Sequence, residues 1–428
     1  MAKKTSKRIY MDYAATTYTD ERVVKAMMPY FNTIFGNAGS LHEFGRESKD
    51  AIFIARKTIA TILNCAPEEI YFTGSGTEAD NLAIFGVARA LKNSGNHIVT
   101  TTIEHHAVLY PCEKLEKEGF AVTYLSVDGD GLVSVENLEK VITDQTIFVT
   151  IMMANNEVGT IEPIAEIGEL IKKIRLERRA RQITTPIYFH TDACQSAGYL
   201  DIDVQKLGVD LMTINGSKIY GPKGTGALFI RRGTRIEALT LGGGQEGRIR
   251  SGTENIAGII GLAKALEICQ QIRKKESARL EKLRDYFIAG IFKKVGKVVL
   301  GGHPIKRLPN NVNISILDIE GEAMLLWLDR YGVACSTGSA CSSQNLDPSH
   351  VILALGRPYE FAHGNLRFSL GRKTTKQEVD YVLSVLPKIV ETLRKISPIN
   401  VEMDATAMTS PEAFAGQGMP HFVKKKNN

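Results

Sequence analysis

The run Asn215–Gly226, NGSKIYGPKGTG, sets two lysines among four glycines and a proline. Such a run can be a solvated surface turn, can cradle a phosphate, or can offer one lysine amine to a carbonyl. Gly216 and Gly221 have the glycine spacing of a Walker-type phosphate loop. Pro222, however, stands where that loop needs its lysine, and Lys223 comes one residue late, so the nucleotide reading fails. Lys218 directly follows an apolar run (210–215) and should emerge at a strand end, whereas Lys223 lies farther along the turn.

Three other clusters also follow apolar runs. In YFTGSGTEADN (71–81) a Gly-Ser-Gly-Thr turn precedes a helix start, where backbone N–H groups near Gly76 can bind an anion and Thr77 can add a hydroxyl. The plain alternative is a chain reversal. In FHTDACQ, Asp192 is either a helix cap or a carboxylate paired with the ring nitrogen of a cofactor. In TIEHHAVL, His105 is either structural or a planar ring that stacks on a flat cofactor and moves protons near neutral pH. An amine, a carboxylate under a pyridinium nitrogen, a stacking ring and a phosphate cup are together what pyridoxal 5′-phosphate requires. Their succession within one region makes the combination far more specific than its parts, and it points to Lys218 as the reactive lysine.

The elements that must position these residues are legible as alternation. Runs at 97–105, 120–127, 146–157, 186–193, 210–215 and 226–232 read as strands, and amphipathic runs at 108–118, 135–142 and 164–181 as helices. That pattern predicts an α/β fold with a mostly parallel sheet covered by helices, its ligands beyond the carboxyl ends of the strands. After GGGQEGRIRSGTEN (242–255) the texture changes to a long helical region (256–294). Short strands and a Gly/Ser/Cys-rich loop (334–345) come next. The expected division is a large cofactor-binding domain over 19–261, a smaller α+β domain from 1–18 and 262–400, and a flexible tail over 401–428.

Composition narrows the classes. With 43% hydrophobic and 23% charged residues the chain is an ordinary globular protein, and no run approaches the roughly 18–20 apolar residues that span a bilayer. The net charge of +6 comes from the ends: without Lys3, Lys4, Lys7, Arg8 and Lys424 to Lys426 the body carries about −1. Neither a membrane nor a nucleic-acid partner is expected. Six scattered cysteines without a CxxC pair fit reduced thiols and a cytoplasmic setting, not a zinc ribbon or a disulfide framework. No resident metal is expected.

The motifs MDYAATT, FGNAGSLHEFGR, FTGSGTEADNLAI, IEHHAVL, NNEVGTI, HTDACQSAG, SKIYGPKGTGAL, GGGQEGRIRSGTEN, GSACSS and LRFSLGR occur in this order from about Ile9 to Pro398. The chain thereby resembles the cysteine desulfurases of iron–sulfur cluster assembly, in the class V branch of fold-type I pyridoxal-phosphate enzymes. The resemblance implies a large domain with a seven-stranded, mostly parallel sheet, and a homodimer with the cofactor near the subunit boundary. It makes Lys218 the lysine joined to the cofactor, Asp192 the partner of the pyridine nitrogen and His105 the stacking, proton-moving ring. Gln195 would bond the phenolic oxygen, and Asn156 and Arg367 the substrate carboxylate. Gly76 and Thr77 belong to the phosphate cup, to which Thr253 comes from the other subunit.

Cys341, in GSACSS, matches the family's sulfur-accepting cysteine. The alternative for such a thiol is a buried structural cysteine. The small residues around it predict a loop able to move between L-cysteine and an external acceptor. An iron–sulfur scaffold is the expected acceptor, with transient cluster contact through Cys341, and transfer-RNA thiolation or general sulfur supply as alternatives. Cys335 has no matching role. A selenocysteine lyase, a small aminotransferase and a catalytically silent scaffold are the competing readings. A nucleophilic thiol speaks against the aminotransferase, and Lys218 with Asp192, His105 and Arg367 against the scaffold. The chain departs from its relatives before the lysine, where Asn215-Gly216-Ser217-Lys218 replaces the common Ser-Gly-His-Lys. Asn215 and Ser217 keep an amide and a hydroxyl for the phosphate but lose a ring able to carry charge.

Overall fold

Residues with branched and aromatic side chains in unbroken runs make strands that must be covered on both faces. The structure, a computed structural model, describes residues 8–338 and 348–397. Its strands are β1 (Ile9–Tyr10), β2 (Ile70–Thr73), β3 (His97–Thr101), β4 (Ala121–Leu125), β5 (Thr146–Thr150) and β6 (Tyr188–Asp192). They continue with β7 (Leu211–Asn215), β8 (Gly226–Ile230), β9 (Val298–Leu300), β10 (Asn311–Ile316), β11 (Val333–Ala334) and β12 (Asn365–Ser369).

Seven strands form one sheet in the order β2-β8-β7-β6-β5-β3-β4. The pairings among β7, β6, β5, β3 and β4 are parallel, and β8 runs antiparallel to both β7 and β2. Connection length explains the exception. Parallel neighbours need a crossover of a dozen or more residues, and the turn 216–225 is too short to provide one. Alternation sends Val99, Val149, Met212 and Phe229 to one core and Ile98, Phe148, Leu211 and Leu228 to the other. The strand boundaries are shorter than the apolar runs suggest, because residues such as 102–105 and 151–157 have already left the sheet to form loops.

The helix Ile256–Lys294 extends from one core to another. Its first half buries Ile259, Leu262 and Leu266 against the seven-stranded sheet. Its second half buries Leu280, Leu283, Phe287 and Ile291 with the antiparallel sheet β12-β10-β9 and the helix Lys376–Ile396. The N-terminal segment ties the two parts together. Ile9 pairs with Val333 in a short parallel ladder, and Asp12 bridges to Ser369. The Ala14 N–H then donates to Ser369 Oγ at 2.8 Å, and the Thr17 N–H to the Ser217 carbonyl at 2.8 Å.

Candidate active site

β6 and β7 end side by side, with Asp192 opposite Thr213 in the register. Asp192 is buried, and its Oδ1 accepts the Cys194 N–H at 2.8 Å, which starts the turn that leaves the strand. After β7, Asn215 caps a short 3₁₀ turn, Gly216–Lys218, by accepting the Ser217 N–H at 3.1 Å. Lys218 is thus aimed back along the sheet edge, and its Nζ donates to the carbonyls of Ala14 (2.9 Å) and Ala15 (2.6 Å). Gln195 Nε2 donates to the same Ala14 carbonyl at 2.9 Å.

The N-terminus of the helix Gly76–Leu91 faces these groups, capped by Ser75, whose hydroxyl accepts the Glu78 N–H at 3.1 Å. A Cβ at residue 76 would stand 2.7 Å from Cys194 Sγ, so a side chain there would force that thiol to shift. His105 caps the helix His106–Lys117: its Nδ1 accepts the Ala107 N–H at 3.0 Å, so the neutral ring carries its proton on Nε2. Burial lowers its pKa, and the charge of Asp192 opposes that shift.

After β5, Asn155 accepts the N–H groups of Glu157 (2.8 Å) and Val158 (2.9 Å), turning the chain so that Asn156 and Glu157 enter the site. Arg367, on β12, is 2% exposed. Its Nη1 donates to the Asn156 carbonyl at 3.0 Å and its Nη2 to Asp12 Oδ1 at 3.1 Å. Its Nε has no hydrogen-bond partner among the described residues.

Gly76, Thr77, His105, Asn156, Asp192 and Gln195 line one cavity of about 290 Å³ together with Asn215, Lys218 and Arg367. Ser217 does not line it; its hydroxyl donates to Asn215 Oδ1 at 3.1 Å. Thr253 is exposed and also lies outside that lining. Cys341 lies outside the described residues, as does the segment 401–428. Cys335 is half-buried, and desolvation pushes its thiol pKa well up, away from thiolate chemistry. Lys223 donates to the Thr17 carbonyl at 3.3 Å, away from the cavity.

Several lining residues were not singled out by the sequence reading. Ala14 and Ala15 supply carbonyls, and the only local signal was the run of small residues in MDYAATT. Asp80 stands one helical turn below Gly76, a spacing that places both on one face. Glu157 accepts the Ser349 hydroxyl at 2.5 Å, and burial raises its pKa. His350 Nε2 donates to the Glu104 carbonyl at 3.0 Å. Among the described residues no cluster of His, Cys, Asp and Glu could hold a metal ion.

An amine, a carboxylate, an imidazole with its proton facing outward from the cap, an arginine and an open helix N-terminus thus share one enclosure. That set can hold an anionic, aromatic cofactor and a small amino acid beside it. Residues 9–382 match the family described as aminotransferase class-V. The chain is 52% identical over 396 residues to the cysteine desulfurase IscS of Clostridium botulinum (strain Hall), covering 92% of this chain and 97% of that protein. A solved structure of a NifS-like protein superposes with a TM-score of 0.83 at 35% identity, covering 90% of this chain and all of that one. A structure described as SspA in complex with cysteine superposes with a TM-score of 0.73 at 34% identity, covering 85% and 98%.

Proposed function

The chain belongs to the aminotransferase class-V family, and on that premise we propose that it is a cysteine desulfurase. It converts L-cysteine to L-alanine and passes the sulfur to a cysteine of its own, supplying sulfur for iron–sulfur cluster assembly. The observation that carries this reading is the convergence of Lys218, Asp192, His105 and Arg367 on one cavity beyond the strand ends. The fit to pyridoxal 5′-phosphate rests on the donor set and on Gly76, whose lack of a side chain leaves helix N–H groups open to a phosphate.

Lys218 would hold the cofactor carbonyl carbon, Asp192 its pyridine nitrogen and Gln195 its phenolic oxygen. Gly76, Thr77 and Asn215 would hold the phosphate, with Thr253 supplied by a second copy of the chain, whereas the Ser217 hydroxyl is engaged by Asn215 outside the cavity lining. When bound, the cofactor supplies the electron sink that lets the carbon–sulfur bond of cysteine break. Asn156 and Arg367, both in the cavity wall, would orient the substrate carboxylate. The Lys218 amine would also move protons at the substrate carbons. His105 offers the Nε2 proton that its cap geometry leaves toward the site.

The Cys341 thiolate attacks the substrate sulfur. A sulfur–sulfur bond forms as the carbon–sulfur bond breaks, the electron pair stays with carbon, and protonation there yields alanine. A homodimer is supported by the large apolar side chains left exposed around 31–54, among them Phe31, Phe35, Leu41 and Phe53, and by Leu241. An iron–sulfur scaffold protein is the proposed acceptor and the cytoplasm the proposed setting. No helix among the described residues is long and apolar enough to cross a membrane.

The test is direct. The purified protein should be yellow, release alanine from L-cysteine, and carry a persulfide that mass spectrometry places on Cys341. Cys341→Ser should keep the yellow colour and lose the persulfide. A colourless protein that makes no alanine, or a persulfide on Cys335, would overturn the corresponding part of the assignment.

A further inference from the structure

Asp80 is a carboxyl group that the reading above leaves unused. It lies in the first turn and a half of the helix Gly76–Leu91, lines the cavity, and is 1% exposed. Its Oδ1 is enclosed and has no hydrogen-bond partner among the described residues. Behind it lies His190, fully buried on β6, with Nε2 3.7 Å from Asp80 Oδ1. The ring is held at both nitrogens by hydroxyls: Nδ1 to Thr150 at 2.8 Å and Nε2 to Thr213 at 3.0 Å. Burial lowers the His190 pKa to about 3, so no cation stands beside Asp80 from that side.

Asp80 and Asp192 therefore share one enclosure, whose wall also holds the acid Glu157 with Arg367, His106 and His350, and the surroundings of the two aspartates differ. Asp192 accepts a backbone N–H, and Lys218 and His105 stand on its side of the cavity. Asp80 has the Thr213 hydroxyl, the neutral His190 and the Cys194 thiol, with Glu104 as a further acid nearby. Like charges confined together cannot both ionise cheaply, and the better-solvated acid keeps the charge. Burial, and then the charge of Asp192, push the pKa of Asp80 well upward. There is also a reason of function. The same helix presents Gly76 and Thr77 at its N-terminus, where a phosphate would sit, and an anion one turn below would repel it.

We propose that Asp80 is a positioning residue that stays protonated, so that this one cavity can hold Asp192 as an anion and still accept a phosphate dianion at the end of the helix Gly76–Leu91. The inference rests on the cofactor reading, yet it makes its own demand: the helix end binds phosphate well only while Asp80 keeps its proton. Loss of that proton at high pH adds a negative charge beneath the phosphate and weakens its hold.

The experiment compares the holoenzyme with Asp80→Asn, which is neutral at every pH and nearly isosteric, and with Asp80→Ser in case the amide disturbs folding. Cofactor release is followed by visible absorbance during dialysis against a competing amine, over a pH series. Near neutral pH, release from wild type and Asp80→Asn should agree within about twofold. As pH rises, wild type should release cofactor progressively faster than either variant. Infrared difference spectra of wild type minus Asp80→Asn at neutral pH should show a protonated carboxyl band. If Asp80→Asn holds cofactor tenfold more tightly at neutral pH, or the difference band belongs to an ionised carboxylate, Asp80 is charged and the proposal fails. A release ratio that stays flat up to the highest pH that keeps the protein folded, with an ionised-carboxylate band appearing over the same range, would also overturn it. A wild-type protein without cofactor would instead refute the functional reading, before the Asp80 comparison begins.

Discussion

Two regions of this molecule bury polar groups in quite different ways. Around the antiparallel sheet β12-β10-β9, several buried polar side chains are held by protein partners, although Asn310 Oδ1 beside β10 and Arg367 Nε on β12 have none among the described residues. Asn313 and Asn365 exchange amide hydrogen bonds at 3.1 and 2.8 Å. Arg284 Nη1 donates to the carbonyls of Arg307 (3.2 Å) and Leu308 (3.1 Å), and Arg307 donates to His303, Gly301 and Asn311. At and around the cavity at the edge of the seven-stranded sheet, Asp80 Oδ1, Glu104 Oε2 and Arg367 Nε have no such partner among the described residues. Unsatisfied buried polar atoms are costly, of order 1–3 kcal/mol each. Satisfied ones make a fold specific, and each unsatisfied one carries a cost that the packing around it must offset.

The largest effect that could break this contrast concerns Lys218. Lys218→Ala should remove the visible absorbance of the lysine-bound cofactor and cut alanine production by roughly 10²–10⁴-fold or more. Lys223→Ala, which changes a residue away from the cavity, should keep both. Comparable turnover in the two variants would mean that the cavity has been misread.

A second pair of variants sets one region directly against the other. Arg367→Lys loses the planar fork and should raise KM for L-cysteine by roughly one to two orders of magnitude, with a smaller fall in kcat. Asn365→Ala leaves Asn313 short of its partner and should cost about 1–3 kcal/mol in denaturant unfolding without moving KM. Steady-state kinetics and urea titration on both proteins decide it. A KM change in Asn365→Ala would erase the distinction between the regions.

Glu104 sharpens the comparison through pH. Burial pushes its carboxyl pKa up to about 8 from an unfolded value near 4.5. The folded chain therefore holds a proton that the unfolded chain has released over this window. Stability is lost as pH rises from 4.5 through 8. Glu104→Gln cannot ionise and keeps an oxygen for the Thr101 hydroxyl and the Met152 N–H. Relative to wild type it should gain stability steadily across that window, on the order of a few kcal/mol by pH 8. A gap between the two proteins that does not change with pH would place the proton elsewhere.

The smallest effect is expected from the end of the chain. Removal of 401–428 should leave cofactor absorbance and basal alanine release unchanged, within about twofold, because the composition of that segment offers little to a core. Loss of soluble protein on truncation would show that the segment is structural.

Much of the fold was legible because its cause is local. A strand buried on both faces must be apolar throughout, and an amphipathic helix must repeat every 3.6 residues. Runs such as 210–215 and 256–294 therefore announce β7 and the long helix Ile256–Lys294 within a residue or so. The short turn 216–225 already excludes a crossover, so the antiparallel β8 was readable in principle from connection length. Legible too were the residue types that suit a pyridoxal-phosphate site, because an amine or a carboxylate at a strand end is a feature of neighbouring sequence.

Only the tertiary structure decided which groups meet, and which are left without a partner. Asp12 and Arg367 lie 355 positions apart and pair at 3.1 Å because β1 is laid beside β11 and Ser369. The Ala14 carbonyl reaches Lys218 across 204 positions for the same reason. Nothing in TEADN distinguishes Asp80 from an ordinary acid on an exposed helix face. Its enclosure comes from β6 and β7, which bring His190 and Thr213 behind it and Asp192 beside it. Periodicity records which side of an element avoids water, whereas hydrogen-bond satisfaction and charge repulsion depend on every neighbour that the fold brings within a few ångströms.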